Sequence, residues 1–102
     1  MREALVRQND ESAGQLTEHQ PNLRYEFQYY PEYHGPPISL VLPVQQESYW
    51  FDEFPPFFDG LLPEGYQLEA LLRRLKIDRN DPFSQLIATG GDLVGSVTVE
   101  ET

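Results

Sequence analysis

Leu23-Arg24-Tyr25-Glu26-Phe27-Gln28-Tyr29 alternates large apolar side chains with charged or amide ones along its whole length. A period of two is the pattern of a β-strand with one face on a core and the other in water. Upstream, residues 2–8 and 13–19 flank Asn9-Asp10-Glu11-Ser12, a cluster of turn formers, so a β-hairpin precedes the strand and three antiparallel strands open the chain. Downstream, Ile38-Ser39-Leu40-Val41-Leu42 is a short apolar run closed by Pro37 and Pro43, read as a further strand or extended segment. Seven of the nine prolines fall between Pro31 and Pro63, which excludes long helix and central sheet there. Within that third, Phe54-Pro55-Pro56-Phe57-Phe58-Asp59-Gly60 starts a short helix on its prolines and stops it at Gly60. Leu68, Leu71, Leu72 and Leu75 recur at helical spacing, with Arg73, Arg74 and Lys76 at the C-terminal end, predicting a helix over 66–76. Asp81-Pro82 matches an N-cap and first helical position, and Gly90-Gly91 a stop, predicting a helix over 82–89. Residues 92–100, rich in Leu and Val, read as a strand returning to the sheet. The expected fold is α+β in one domain, residues 1–102: a mainly antiparallel sheet of four to five strands with two to three short helices on one side.

A chain of 102 residues suits one unit of about 13 Å radius of gyration and has no room for a kinase, a dinucleotide-binding enzyme or a barrel. The absence of cysteine removes disulfides, thiolate metal sites and a thiol nucleophile, and makes the cytoplasm the expected location. No apolar run of ~18 residues and no secretory signal pattern is present, so no membrane partner is expected. The net charge of −10 disfavours direct binding of nucleic acid. Between Arg24 and Arg73 there is no Lys or Arg, while Glu26, Glu32, Glu47, Asp52, Glu53, Asp59, Glu64 and Glu69 fall in that span. Such a surface keeps the chain in solution or complements a basic partner.

Chemistry is sparse. His19 and His34 are isolated histidines, no serine lies in a nucleophile elbow, and Gly90-Gly91-Asp92-Leu93-Val94-Gly95 lacks the Lys-Ser/Thr of a phosphate loop. Asp52, Glu53, Asp59 and Glu64 could serve as an acid–base pair only with a substrate cleft that a domain of this size rarely holds. No enzyme, metal or cofactor is expected. The notable feature is six aromatics within residues 49–58: Tyr49, Trp50, Phe51, Phe54, Phe57 and Phe58. Phe54, Phe57 and Phe58 are read as tying the loop to the core. Three consecutive rings cannot all point inward, so Tyr49-Trp50-Phe51 must show at least one ring to solvent. An exposed ring rimmed by Asp52 and Glu53 has the composition of an interface anchor.

Several of these blocks also resemble a known family. Pro37-Ile38-Ser39-Leu40-Val41-Leu42-Pro43-Val44, then Pro56-Phe57-Phe58-Asp59-Gly60-Leu61-Leu62-Pro63-Glu64-Gly65, then Asp81-Pro82-Phe83 with Gly90-Gly91-Asp92-Leu93-Val94-Gly95-Ser96-Val97 are similar to the N-terminal subdomain of HipA-type serine/threonine kinase toxins, over about residues 4–100. Ala13-Gly14-Gln15-Leu16 and Tyr25-Glu26-Phe27-Gln28-Tyr29 resemble that subdomain's first strands. The ATP site and catalytic aspartates of such kinases lie outside this subdomain, so the resemblance carries over no catalytic residue. A separate protein of this kind resembles the HipS family, the small antitoxins of three-gene HipBST toxin–antitoxin systems. That resemblance implies a protein that binds and inhibits a HipT-like serine/threonine kinase toxin in trans, with a HipB-like DNA-binding protein as candidate third member. The expectation is that the Tyr49-Trp50-Phe51 loop projects to the kinase active site, Trp50 plugging it and Asp52 and Glu53 meeting basic side chains. Four alternatives stay open: the internal subdomain of a longer HipA-like kinase, a non-enzymatic structural or regulatory subunit of such a complex, a carboxylate hydrolase, and an acidic nucleic-acid mimic.

Overall fold

Three strands, β1 (Arg2–Gln8), β2 (Glu11–Gln20) and β3 (Arg24–Tyr29), form an antiparallel ladder in the computed structural model, which describes residues 1–91 and 96–102. The chain continues through β4 (Tyr49–Phe51), α1 (Pro56–Asp59), α2 (Gly65–Leu75), α3 (Pro82–Thr89) and β5 (Val97–Glu101). All pairings are antiparallel and the strand order is β4-β3-β2-β1-β5. This is the expected α+β architecture, with a radius of gyration of 13.2 Å. Among the described residues no helix is long and apolar enough to cross a membrane.

The hairpin turn is tighter than the cluster of turn formers implies. Asn9 and Asp10 both adopt positive φ, 53° and 67°. That is the two-residue turn whose twist matches a hairpin, and Asn and Asp tolerate it best after Gly. Strand β2 therefore begins at Glu11. A register shift between Val6 and Arg7 leaves Ala13 as an extra residue on β2, a bulge within the ladder.

Directly paired residues share a face, so the register sorts the sheet into two surfaces. On one, Tyr49, Phe27, Leu16 and Ala4 form a row, next to the row Phe51, Tyr25, Glu18 and Arg2. Phe58 of α1 and Phe83 and Leu86 of α3 pack into the same core as these residues. On the other surface lies the row Trp50, Glu26, Thr17 and Glu3.

Two sequence expectations are corrected. Leu23 does not join the buried row of Tyr25, Phe27 and Tyr29; it is 58% exposed. Asn22 takes φ 62° and Leu23 donates to the Gln20 carbonyl at 3.0 Å, so Leu23 belongs to the β2–β3 turn. Residues 38–42 are not a sheet strand but a turn closed by one bridge between Ser39 and Leu42. The buried Tyr29 hydroxyl explains the difference. It donates to the Leu42 carbonyl and accepts from the Ile38 amide at 3.0 Å, which satisfies both ends of the turn without a neighbouring strand.

The helices follow their local signals. Asp81 caps α3, accepting from the Ser84 amide at 3.1 Å with Pro82 in the first turn. Helix α2 runs one residue earlier than predicted and ends at Lys76 in the left-handed conformation, with only Leu71 of its apolar stripe fully buried. Of the strand predicted over 92–100, β5 supplies Val97–Glu101, and residues 92–95 lie outside the described residues. Gly90 packs directly under β5: a Cβ there would stand 1.8 Å from the Val99 carbonyl oxygen, and the Val99 amide donates to the Gly90 carbonyl at 3.0 Å.

Arg2 joins the sheet to α3. Its guanidinium donates to Glu18 at 2.7 Å, to Asp81 at 2.8 Å and to the Ser84 hydroxyl at 2.8 Å, and lies 4.7 Å from the centre of the Phe83 ring. Glu18 is 2% exposed and also accepts from the Tyr25 hydroxyl at 3.0 Å. Burial, reinforced by the Glu18 carboxylate, pushes the Tyr25 hydroxyl up to about 12. Burial pushes the Asp81 carboxyl up, but hydrogen bonds from Arg2 and Ser84 outweigh it and hold the group below its ordinary value.

Arg2→Leu strands a buried carboxylate and is expected to cost about 2–4 kcal/mol of stability in urea denaturation. A loss below about 1 kcal/mol would show that Glu18 needs no cation. Asp81, whose partial burial is outweighed by Arg2 and Ser84 so that its folded pKa is held down, contributes stability above the ordinary carboxylate range and loses it as pH falls through the folded value. The wild type should therefore destabilise below about pH 4, and Arg2→Leu should show a shallower fall. Gly90→Ala is expected to cost more than about 2 kcal/mol or to abolish folding, read by the same denaturation.

Candidate functional site

Strand β4 is an edge strand of three residues, and its pairing with β3 divides its rings. Tyr49 and Phe51, opposite Phe27 and Tyr25, are half-buried against the core. The Tyr49 hydroxyl donates to the Pro43 carbonyl at 2.6 Å. Trp50, opposite Glu26, points to the outer surface and is 48% exposed. The expected outward ring is thus Trp50, but the segment is a strand rather than a projecting loop. Ladder pairing with β3 is what fixes it, and the sequence shows no separate strand signal over so short a segment.

The indole is held by neighbours on the outer surface. The His19 ring stacks on it at 5.3 Å between centroids and 27° between planes, and the Arg24 guanidinium lies 4.4 Å from its centre. His19 Nε2 approaches the Glu26 carboxylate at 2.8 Å, and the Ser48 hydroxyl donates to the same carboxylate. An ionised carboxylate only accepts, so Nε2 carries the proton in this contact. Partial burial pushes the Glu26 carboxyl up, but the hydrogen bonds from Ser48 and His19 overcome it and hold it below its usual value.

Next to the indole, Asp52 and Glu53 are exposed and line, with Trp50, Phe51 and Pro56, a notch of about 410 Å³. Arg24 Nη1 stands 3.8 Å from the Asp52 carboxylate. Of the five residues predicted as an interface, the structure brings Trp50, Phe51, Asp52 and Glu53 to this notch, while Tyr49 turns to the core side. Phe54 and Phe58 are buried and Phe57 packs against them, as their reading as core ties requires.

The other sequence candidates do not converge. Asp59 and Glu64 line a separate groove of about 460 Å³ with Arg79 and Asn80, away from Asp52 and Glu53, so the four carboxylates do not form one acid–base pair site. His34 lines a groove with Tyr30 and Tyr33, apart from His19. Among the described residues, no group of three or more His, Asp or Glu side chains is placed to hold a metal ion.

Sequence reasoning missed the seat of the indole, formed by His19 and Arg24, with Ser48 bonded to the neighbouring Glu26. The parity of β3 already placed Arg24 and Glu26 on the face opposite Tyr25 and Phe27; the missing step was the pairing of Trp50 with Glu26. It also missed Leu40 and Val41, which stand 94% and 74% exposed at the tip of the 39–42 turn.

Trp50→Ala removes a half-exposed ring and is expected to change stability by less than about 1 kcal/mol, whereas Phe51→Ala should cost about 2 kcal/mol. Equal losses in urea denaturation would show that Trp50 belongs to the core.

Comparison with known proteins converges on one family. The profile described as HipA N-terminal domain matches residues 4–100. An uncharacterized protein of Haemophilus influenzae is 34% identical over 77 residues, 76% of this chain and 73% of that protein. "Putative kinase Y4mE" of Sinorhizobium fredii is 36% identical over 61 residues, 60% of this chain but only 14% of that protein. A solved structure titled "N-terminal domain of HipA toxin" superposes with a TM-score of 0.79 at 29% identity, covering 100% of this chain and 93% of that one.

Proposed function

The chain belongs to the family of HipA N-terminal domains, and on that premise we propose that it is a HipS-like antitoxin that docks on a HipA-type serine/threonine kinase in trans and restrains it. The observation that carries the reading is Trp50, half-exposed on an edge strand, held from its own side of the sheet and bordered by the exposed carboxylates of Asp52 and Glu53. Such a ring has large area and little entropy to lose, as an interface anchor requires. The net charge of −10, with no Lys or Arg from residue 25 to residue 72, gives the chain an acidic field that steers a basic partner and repels DNA.

In this reading the domain replaces the N-terminal domain of the kinase and sets Trp50 at the active-site cleft, with Asp52 and Glu53 against basic side chains. Phe51 closes the floor of the contact, and Tyr49 acts from beneath it by bracing β4. The domain itself is non-enzymatic, works in the cytoplasm beside its kinase, and leaves DNA contact to a HipB-like protein in a ternary complex. The Haemophilus influenzae relative supports action as a separate small protein, since the 77 matched residues make up 73% of it.

Y4mE supports a second reading. There the matched segment is 14% of a much longer protein. A domain of this kind inside one chain would use the same surface against its own kinase core.

The test is to mix the domain with the HipA-type kinase encoded beside it, then measure complex formation by size-exclusion chromatography and kinase activity by autophosphorylation. A stoichiometric complex with slowed autophosphorylation is expected. Trp50→Ala should raise the inhibition constant roughly 10- to 100-fold. An unchanged constant would sink the plug; absence of any complex would sink action in trans.

A further inference from the structure

We propose that the notch beside Trp50 is a receptor for one arginine side chain of the kinase partner, and that Arg24 is its resident surrogate in the free domain; this rests on the docking reading above.

A guanidinium is recognised by a flat aromatic face together with a carboxylate, because it stacks with its plane while its N–H groups point at the acid. The notch offers that pair: the indole of Trp50 as wall, Asp52 and Glu53 as acids, and Phe51 and Pro56 as apolar sides. The domain already uses the combination on itself. Arg24 reaches the indole at 4.4 Å and Asp52 at 3.8 Å, two of the notch's own residues.

The contact is built to exchange. Arg2 shows what a locked arginine looks like in this fold, with hydrogen bonds to Glu18, Asp81 and Ser84. Arg24, in contrast, touches Asp52 only at 3.8 Å, and the Asp52 side chain is 93% exposed and the Arg24 side chain 49%. An ion pair so exposed is weakly held and screened by salt. Asp52 and Glu53 both line the notch while Arg24 reaches only Asp52, so the lining carries more negative charge than its one neighbouring cation offsets, and the sequence has no Lys or Arg between residues 25 and 72. His19 keeps the indole in place from the sheet, stacked on it and tied to Glu26, so the face persists when Arg24 leaves. A partner arginine entering the notch takes over the indole and the carboxylates, and Arg24 swings into solvent.

The protein has one tryptophan, so emission excited at the red edge of the indole band, where its six tyrosines do not absorb, reports this site alone. The intact domain is titrated with a capped alanine–arginine–alanine tripeptide and with its lysine counterpart, in the wild type, Arg24→Gln and Asp52→Asn/Glu53→Gln. The expected result is a saturable change in Trp50 emission that is several-fold weaker for lysine, at least threefold tighter in Arg24→Gln, and lost in the double variant. Kinase binding should follow the same order, with Arg24→Gln tightening the complex at least threefold. Urea denaturation checks that each variant is folded. A flat arginine titration, or an Arg24→Gln variant that binds no tighter, overturns the surrogate. Failure of the kinase to bind the wild-type domain overturns the docking reading instead, a result the peptide titration cannot produce.

Discussion

Glu18 is the constraint around which the rest of the domain is arranged. A carboxylate 2% exposed beneath a sheet is tolerable only if its charge is matched and its lone pairs are used. Arg2 and the Tyr25 hydroxyl do both. Arg2 then has donors left over, and they go to Asp81 and Ser84 at the start of α3. One buried charge thus fixes the β1–β2 register, the position of β3 and the docking of a helix remote in sequence. The Tyr25 hydroxyl also accepts from the Asn22 amide at 2.9 Å, which carries the same network into the β2–β3 turn.

The candidate site follows from that frame. Once Tyr25 and Phe27 face the core, Arg24 and Glu26 must face outward, and an edge strand pairing Trp50 with Glu26 must place the indole beside them. The same pairing turns Tyr49 and Phe51 toward the core, so the exposed ring stands between two that are half-buried, and of these only Phe51 also lines the notch. The outer surface adds the second support: Glu26 holds His19 and Ser48, and His19 holds the indole. A side chain clamped in this way enters a contact with little rotamer freedom left to lose.

Local chemistry made much of this legible from the amino-acid sequence. Alternation identified β3, Asp81-Pro82 identified the start of α3, and the three adjacent rings required an outward one. The failures share a cause, which is that partners distant in sequence decided them. Residues 38–42 have the composition of a strand, yet the Tyr29 hydroxyl satisfies their backbone and they close as a turn. Leu23 fits the parity of β3 but is drawn into the turn by the left-handed Asn22. β4 is too short to announce itself, so the strand, and with it the seat of Trp50, appears only when β3 is present to pair with it. Asp52 and Glu53 were legible as a rim because they are adjacent to Trp50; Arg24 and His19 were not, because 26 and 31 positions separate them from it.

The comparison with HipA-type proteins sharpens what the outer surface has to do. A domain held in one chain with its kinase core meets that core at the high effective concentration set by a linker, and weak contacts then suffice. A domain acting in trans has no such help, and its interface must overcome the loss of translational and rotational freedom on its own. That difference selects for a few strong, preorganised contacts rather than a broad, loose one. For the trans arrangement proposed above, a single indole braced by His19, with Asp52 and Glu53 beside it and Arg24 against its face, would supply a contact of that kind. The fold is common to both arrangements; the demand for an anchor is what separates them.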